Sequence, residues 1–407
     1  MRGISTSAKV WVAACAIALC AGGVRAQSNG DQAKINLYGF AMIDTGEDFK
    51  SMDPDWYDTM RPTKLPSFQD EFGKDGNFYA SVRQSRLGVK SWIPTKAGDI
   101  YTIFEFDMFG VGADAGQTTI RLRHAYGELG QFGAGQTNSP FMDVDVFPNV
   151  VDYWGPNGMV FFRNIQLRWM PLKGEHAVTV ALERPGASGD QGVAAGRIEL
   201  AGIQGRYPVP DLSGNYRWTE KWGHLQVSGI LREIKWDDLN ANTPGHAYDL
   251  SGSELGWGVN VSTNVKFNKD TLRASVVYGE GVENYMNDAP VDVATARHPG
   301  SPLGITGKAL PVLGIVAFYD RTWSDKWTST IGYSRVNITN SDLQTPDAFK
   351  TGEYAVVNAL YYPVANLMFG PEFQWGHRDN NSDGWSVDDY RLQFSVKYNF
   401  GHTWGGQ

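Results

Sequence analysis

Along most of this 407-residue chain, apolar and polar residues take turns with a period of two. Between Tyr390 and Phe400 the apolar set is Tyr390, Leu392, Phe394, Val396, Tyr398 and Phe400, with Arg391, Gln393, Ser395, Lys397 and Asn399 interleaved. A strand sends alternate side chains to opposite faces, so this segment has one face for an apolar medium and one for water. Residues 254–268 repeat the pattern: Leu255, Trp257, Val259, Val261, Val265 and Phe267 alternate with Gly256, Gly258, Asn260, Ser262, Asn264 and Lys266. In a third case, Leu367, Phe369, Pro371, Phe373 and Trp375 oppose Glu372, Gln374, Gly376 and Arg378. Pro371 cannot donate to a ladder, so a bulge is expected there. Thirteen less regular segments bring the predicted strands to sixteen.

Their spacing is as informative as their pattern. Seven short connectors (93–99, 130–132, 171–175, 219–223, 268–270, 324–326 and 363–366) are mostly turn chemistry of Gly, Pro, Asn and Asp. They alternate with eight long ones, roughly 46–77, 110–117, 139–158, 185–210, 237–253, 281–310, 340–352 and 379–387. The predicted fold is therefore all-β: a transmembrane antiparallel β-barrel of about 16 strands with short periplasmic turns and long extracellular loops. Hydrocarbon offers no hydrogen-bond partner, so a spanning sheet must close on itself. Tyr390, Tyr398, Phe400, Trp222, Trp323, Trp327 and Trp375, near strand ends, are expected to form the interfacial girdles. A soluble sandwich or propeller is the competing fold, but it does not account for polar faces that mix Gly, Asn and Arg. No run of 18 apolar residues follows residue 26, which excludes spanning helices.

Composition adds the export route. Arg2 and Lys9, then the apolar run 10–23, then an A-x-A-like site before Gln27 read as a signal peptide over 1–26. Residues 27–33 are expected as a short periplasmic segment, 34–400 as the barrel and 401–407 as a tail. Cys15 and Cys20 both fall in the signal, so neither disulfide nor thiol chemistry is expected. Removing the signal takes away three positive residues and shifts the formal charge from -8 to -11, which argues against nucleic-acid binding.

A sixteen-stranded barrel leaves an aqueous channel unless a loop narrows it. The third long loop carries Phe141, Met142, Val144, Val146, Phe147, Val150, Val151, Tyr153 and Trp154. That is too apolar for a solvated outer loop, so it is expected to fold into the lumen, with Phe141, Asp143, Asp145 and Phe147 at the constriction. Packing against a neighbouring subunit is the other use for such a loop. Strand parity places Arg86, Lys90, Arg121, Arg123 and Arg168 on the luminal wall, with Arg217, Arg273, Arg378, Arg391, Lys266 and Lys397 as further candidates. Glu105 and Asp107 supply opposing charge. Arg83 and Arg163 break parity: alternation puts each on the lipid face, where a charge at mid-membrane costs about 2 to 4 kcal/mol. They belong either at the rim or on a bulge that turns them inward. More basic than acidic wall residues implies a pore that concentrates anions and repels cations. Arginine also matches carboxylates bidentately. The competing role for Arg121 and Arg123 is to pair with Glu105 or Asp107 and stiffen the wall.

Catalytic and metal patterns are weak. None of the seven histidines lies in a G-x-S-x-G or H-E-x-x-H context. The stretch from Asp379 to Tyr390 begins like a calcium loop but has Tyr390 where a bidentate Glu is needed. Neither an enzyme, a metal nor a cofactor is expected.

The segments 53–68, 114–130, 136–149, 153–164, 181–192 and 278–293 resemble the DcaP-like trimeric outer-membrane porins of Gram-negative bacteria. The resemblance covers about 34–400. It implies a homotrimer in the outer membrane, delivered by the outer-membrane assembly machinery and surrounded by lipid, that takes up small anions, dicarboxylates in particular. It also implies that the inward loop is 139–149 and that Arg83, Arg86, Arg121 and Arg123 line its surroundings. The expected function is diffusion of small hydrophilic solutes favouring organic anions; a non-conducting adhesin or structural barrel, or an outer-membrane hydrolase, are the other readings. A closed barrel should resist detergent until heated: unboiled protein is expected to migrate differently from boiled protein on a denaturing gel. Identical migration, with the protein soluble without surfactant, would defeat the barrel.

Overall fold

The computed structural model describes residues 33–405, so the expected signal peptide and residues 27–32 lie outside it. Sixteen strands form a closed antiparallel barrel: β1 (Lys34–Asp48), β2 (Asn77–Ser81 and Arg86–Ile93), β3 (Ile100–Phe109), β4 (Thr118–Leu129), β5 (Phe132–Asn138), β6 (Arg163–Leu172), β7 (His176–Glu183) and β8 (Asp211–Glu220), then β9 (Gly223–Asp238), β10 (Gly252–Phe267), β11 (Asp270–Glu280), β12 (Pro311–Thr322), β13 (Trp327–Ile338), β14 (Phe349–Asn358 and Leu360–Tyr361), β15 (Leu367–Asn380) and β16 (Ser386–Trp404). Each strand pairs with its sequence neighbours, and β16 returns to β1 in register from Ile35 opposite Trp404 to Asp48 opposite Arg391. The last strand thus runs past Phe400, and residues 401–404, expected as tail, are ladder.

Leu255, Val259, Val261 and Phe267 of β10 and Tyr390, Leu392, Phe394, Tyr398 and Phe400 of β16 stand exposed on the outer surface, as do Trp222, Trp323 and Trp327. Pro371 brings no extra residue. Register runs unbroken from Asn358 opposite Glu372 to Tyr361 opposite Phe369, and β14 is instead interrupted at Ala359, which faces Pro371. The missing proline N–H removes a rung without shifting the frame.

The long-loop half of the interior is a packed core. Val277, Val312, Val336 and Ile338 from the wall bury Phe141, Val160, Val282, Tyr285 and Leu310 from the loops. Beside them, Val316, Phe318, Tyr354 and Val356 close on Met60, Leu65, Val146 and Met159. These strands are apolar on both faces, which explains why their alternation is weak. Outside the barrel, Gly189–Asp190, Val293–Arg297 and Ile305–Ala309 form a small sheet across the long loops.

Gly158 shows how close the packing is. Its N–H donates to Ser334 Oγ at 2.8 Å, and a Cβ added there would lie 2.1 Å from the Arg335 carbonyl oxygen. Gly158→Val is expected to cost about 1–3 kcal/mol of stability through overpacking, read as a lower urea midpoint for unfolding from lipid vesicles.

Candidate functional site

Inward charge concentrates on β2, β3, β4 and the start of β6, and bulges on β2 and β4 shape it. On β2, Ser81 faces Asp44 and Arg86 faces Phe40, so four residues stand opposite three. One extra residue turns the parity over, and Arg83 and Arg86 both point inward. On β4, His124 faces Glu105 and Leu122 faces Phe106, which leaves Arg123 as the inserted residue between them. Arg83, one of the two parity exceptions, is thereby inward; the other, Arg163, opens β6 opposite Asn138 with no shift of register. Arg83 is 0% exposed, with Nη1 on Asp58 Oδ1 at 2.6 Å, Nη2 donating to the Gly110 carbonyl at 2.9 Å, and its guanidinium 3.9 Å from the centre of the Phe109 ring. Arg163, where the chain leaves the third loop, lies 5.2 Å over Phe161, within electrostatic reach of Arg121 and Arg123.

The two carboxylates of β3 organise this wall. Glu105 accepts from Arg123 Nε at 2.6 Å and from the Tyr38 hydroxyl at 2.7 Å. Asp107 receives Arg121 bidentately, Nε at 3.1 Å and Nη2 at 2.8 Å, and Arg123 Nη1 at 2.9 Å. Arg121 and Arg123 are therefore spent on wall partners. Arg86 and Arg163 are not: Arg86 Nε stays 3.8 Å from Glu105, too far for a hydrogen bond, and neither it nor Arg163 Nη1 has a hydrogen-bond partner although both are buried. Lys90 sits over Tyr38, and Arg168 bonds Gln166 Oε1 at 3.0 Å and the Asn138 carbonyl, below the cluster toward the short turns.

The third loop, 139–162, lies inside the barrel and is fastened by side chains of the wall. Asn260 and Gln226 donate to the carbonyls of Phe141 and Met142 at 3.1 Å each, and Asn358 donates to that of Asn149 at 2.8 Å. Glu372 accepts the N–H groups of Val151 and Asp152 at 2.8 and 2.9 Å. Gln84 and Gln393 donate to the Val151 carbonyl. Burial pushes the Asp152 carboxyl up to about 6. From above, Arg61 is sandwiched between Trp56 and Trp154, 4.0 and 4.3 Å from the ring centres, and holds Asp288 at 2.7 Å.

Of the four residues expected at the constriction, only Asp145 is exposed, its side chain half open and paired with Arg217. Phe141 is fully buried against Gly258, and Phe147 packs on Phe161. Asp143 is a buried anchor: His224 lies at 2.6 Å and Ser262 donates at 2.8 Å. Burial opposes its charge, but these bonds and Arg217 hold it below the usual carboxylate range. Arg391, expected to line the lumen, is buried with Asp48 at 2.9 Å. Acidic wall residues are also more numerous than parity suggested, since Asp44, Glu183, Asp211, Glu372 and Asp389 all face inward and are buried. The feature that sequence missed is Tyr153. Counted there among apolar loop residues, it places its hydroxyl on Asp107, Arg121 and Arg123.

A closed sixteen-stranded barrel with an inward loop opposite a basic wall is an outer-membrane channel of the porin kind. The family profile described as DcaP outer membrane protein matches residues 23–400, and the chain belongs to that family. Its place is the outer membrane of a Gram-negative bacterium. The fold is similar to that of the outer membrane channel DcaP of Acinetobacter baumannii, at 21% identity and TM-score 0.75 over 92% of this chain and 99% of that one. It is also similar to an anion-selective porin from Comamonas acidovorans, at 8% identity and TM-score 0.58 over 90% and 100%. A trimer form of OmpT, an outer membrane protein of Vibrio cholerae, matches at 13% identity and TM-score 0.53 over 91% and 100%. No curated protein matches the chain by sequence.

Arg83→Ala would leave Asp58 buried without its cation, an expected loss of about 3–5 kcal/mol. The double variant Arg83→Leu with Asp58→Leu should recover most of it, read by urea unfolding in vesicles.

Proposed function

We propose that this channel passes small hydrophilic solutes by passive diffusion and favours organic anions, dicarboxylates among them, without cofactor or catalysis. One observation carries the reading. At the wall facing the loop, four guanidinium groups (Arg86, Arg121, Arg123 and Arg163) meet two carboxylates, and the surplus sits on the two arginines with unmade hydrogen bonds. A guanidinium with unmade hydrogen bonds in a partly desolvated space attracts anions and can hold a carboxylate in a fork.

A homotrimer accords with the outer surface. Tyr and Trp mark the lipid interface of membrane barrels. Among the described residues they face outward from β6 onward, as Trp169, Tyr216, Trp218 and Tyr278 do, but not on β1 to β5. Small residues such as Ala41, Ala80 and Ala134 stand on that wall, which suits close approach of a second copy.

The reversal potential in a planar bilayer under a salt gradient tests the function. Anion preference is expected, and Arg163→Gln should lower the anion-to-cation permeability ratio about threefold, the scale of one partly screened charge. Cation preference in the wild type would overturn the reading; negligible conductance would turn it toward an adhesin or structural barrel.

A further inference from the structure

Tyr153 sits between the loop and the arginine wall. Its ring lies flat on Phe109, with centroids 4.1 Å and planes 8° apart. Its hydroxyl donates to Asp107 Oδ2 at 2.5 Å and accepts from Arg123 Nη1 at 2.9 Å and from Arg121 Nη2. A phenol has one proton and two lone pairs, and all three are committed here. Because the loop runs inside the barrel, the tyrosine covers these two guanidinium groups from the luminal side. Arg86 and Arg163 have no bond to it.

We propose that Tyr153 is a specificity-determining residue of the channel, an internal ligand that occupies Arg121 and Arg123 and so leaves a passing carboxylate only Arg86 and Arg163. This rests on the reading of the pore as anion-favouring. The chemistry follows from relative bond strength. A neutral hydroxyl is a weaker acceptor for guanidinium than a carboxylate, which brings a full opposite charge and a second oxygen for the fork. Neutral polar solutes therefore do not displace Tyr153, and a carboxylate reaches that pair only by breaking the tyrosine's bonds, so the occupied pair tempers how tightly anions are held. Without that cover, solutes with two carboxylates would gain most, because Arg121 and Arg123, still held by Asp107 and Glu105, would each have one N–H freed for the second charge.

Tyr153→Phe keeps the ring stack and removes only the hydroxyl; Tyr153→Ala removes both. In planar bilayers, Tyr153→Phe is expected to shift the reversal potential toward anions and to lengthen succinate-induced current blocks about threefold, with a smaller change for acetate. A steric role alone would leave Tyr153→Phe like the wild type while Tyr153→Ala conducts more, and that result overturns the proposal. The direction of the shift is read against the wild type, whatever its own preference. A cation-preferring wild type thus defeats the functional reading while this comparison still decides. Calorimetry of succinate binding to detergent-folded protein needs no current: tighter binding by Tyr153→Phe supports the proposal, and equal or weaker binding sinks it.

Discussion

Backbone hydrogen bonding in a medium without water is the constraint from which the rest follows. A strand in hydrocarbon must give every N–H and C=O to a neighbour, so the last strand must find the first. Here β16 pairs with β1 along its length, from Trp404 opposite Ile35 to Arg391 opposite Asp48. Closure fixes an outside and an inside, and alternation in the sequence is the trace of that division. Departures from alternation are then local and informative. The bulge between Ser81 and Arg86 breaks the ladder for a few residues, yet it turns a second arginine away from lipid, where a charge would cost more than the broken rungs.

The same constraint reappears inside. A loop folded into a barrel carries its own backbone groups away from bulk water, and each needs a partner. The wall supplies them through Gln84, Gln226, Asn260, Asn358, Glu372 and Gln393. Many polar residues on the inner face are thus partners for loop backbone rather than a lining for water. This also accounts for the buried carboxylates. Glu372 accepts two consecutive loop N–H groups, a task only an acceptor aimed inward can perform.

The barrel was legible because its signal is local and repeated: strand number, the seven short turns and the outward residues of β10 and β16 follow from period and turn chemistry alone. The site was legible in part. Parity found Arg86, Arg121, Arg123, Glu105 and Asp107 because they lie on strands. It could name Arg83 and Arg163 only as exceptions, since a bulge of one residue leaves no mark in the spacing of apolar positions and Arg163 stands where the loop ends and β6 begins. Within the loop there is no periodicity to read. Phe141 and Asp143 looked like constriction residues and are anchors, because their partners, Gly258, His224 and Ser262, come from strands more than eighty residues away. Tyr153 was hidden for the same reason: nothing nearby in sequence tells whether its hydroxyl or its ring is in use.

Net charge misled least where it was used least. The chain is acidic overall, yet its arginine wall is locally basic, because most inward carboxylates are committed elsewhere: Asp58 to Arg83, Asp48 to Arg391, Asp143 to His224, Glu372 to the loop backbone. A field felt by a solute depends on which charges remain uncompensated within a Debye length or so. Counting arginines would rank Arg121 and Arg123 first, since they lie centrally and face inward. Among the four arginines facing the loop, counting unmade bonds ranks Arg86 and Arg163 first, because a guanidinium already held by Asp107 and covered by a tyrosine gains little by exchanging those partners for a solute. The second count is the physical one: an ion binds where it improves on what the protein has already arranged.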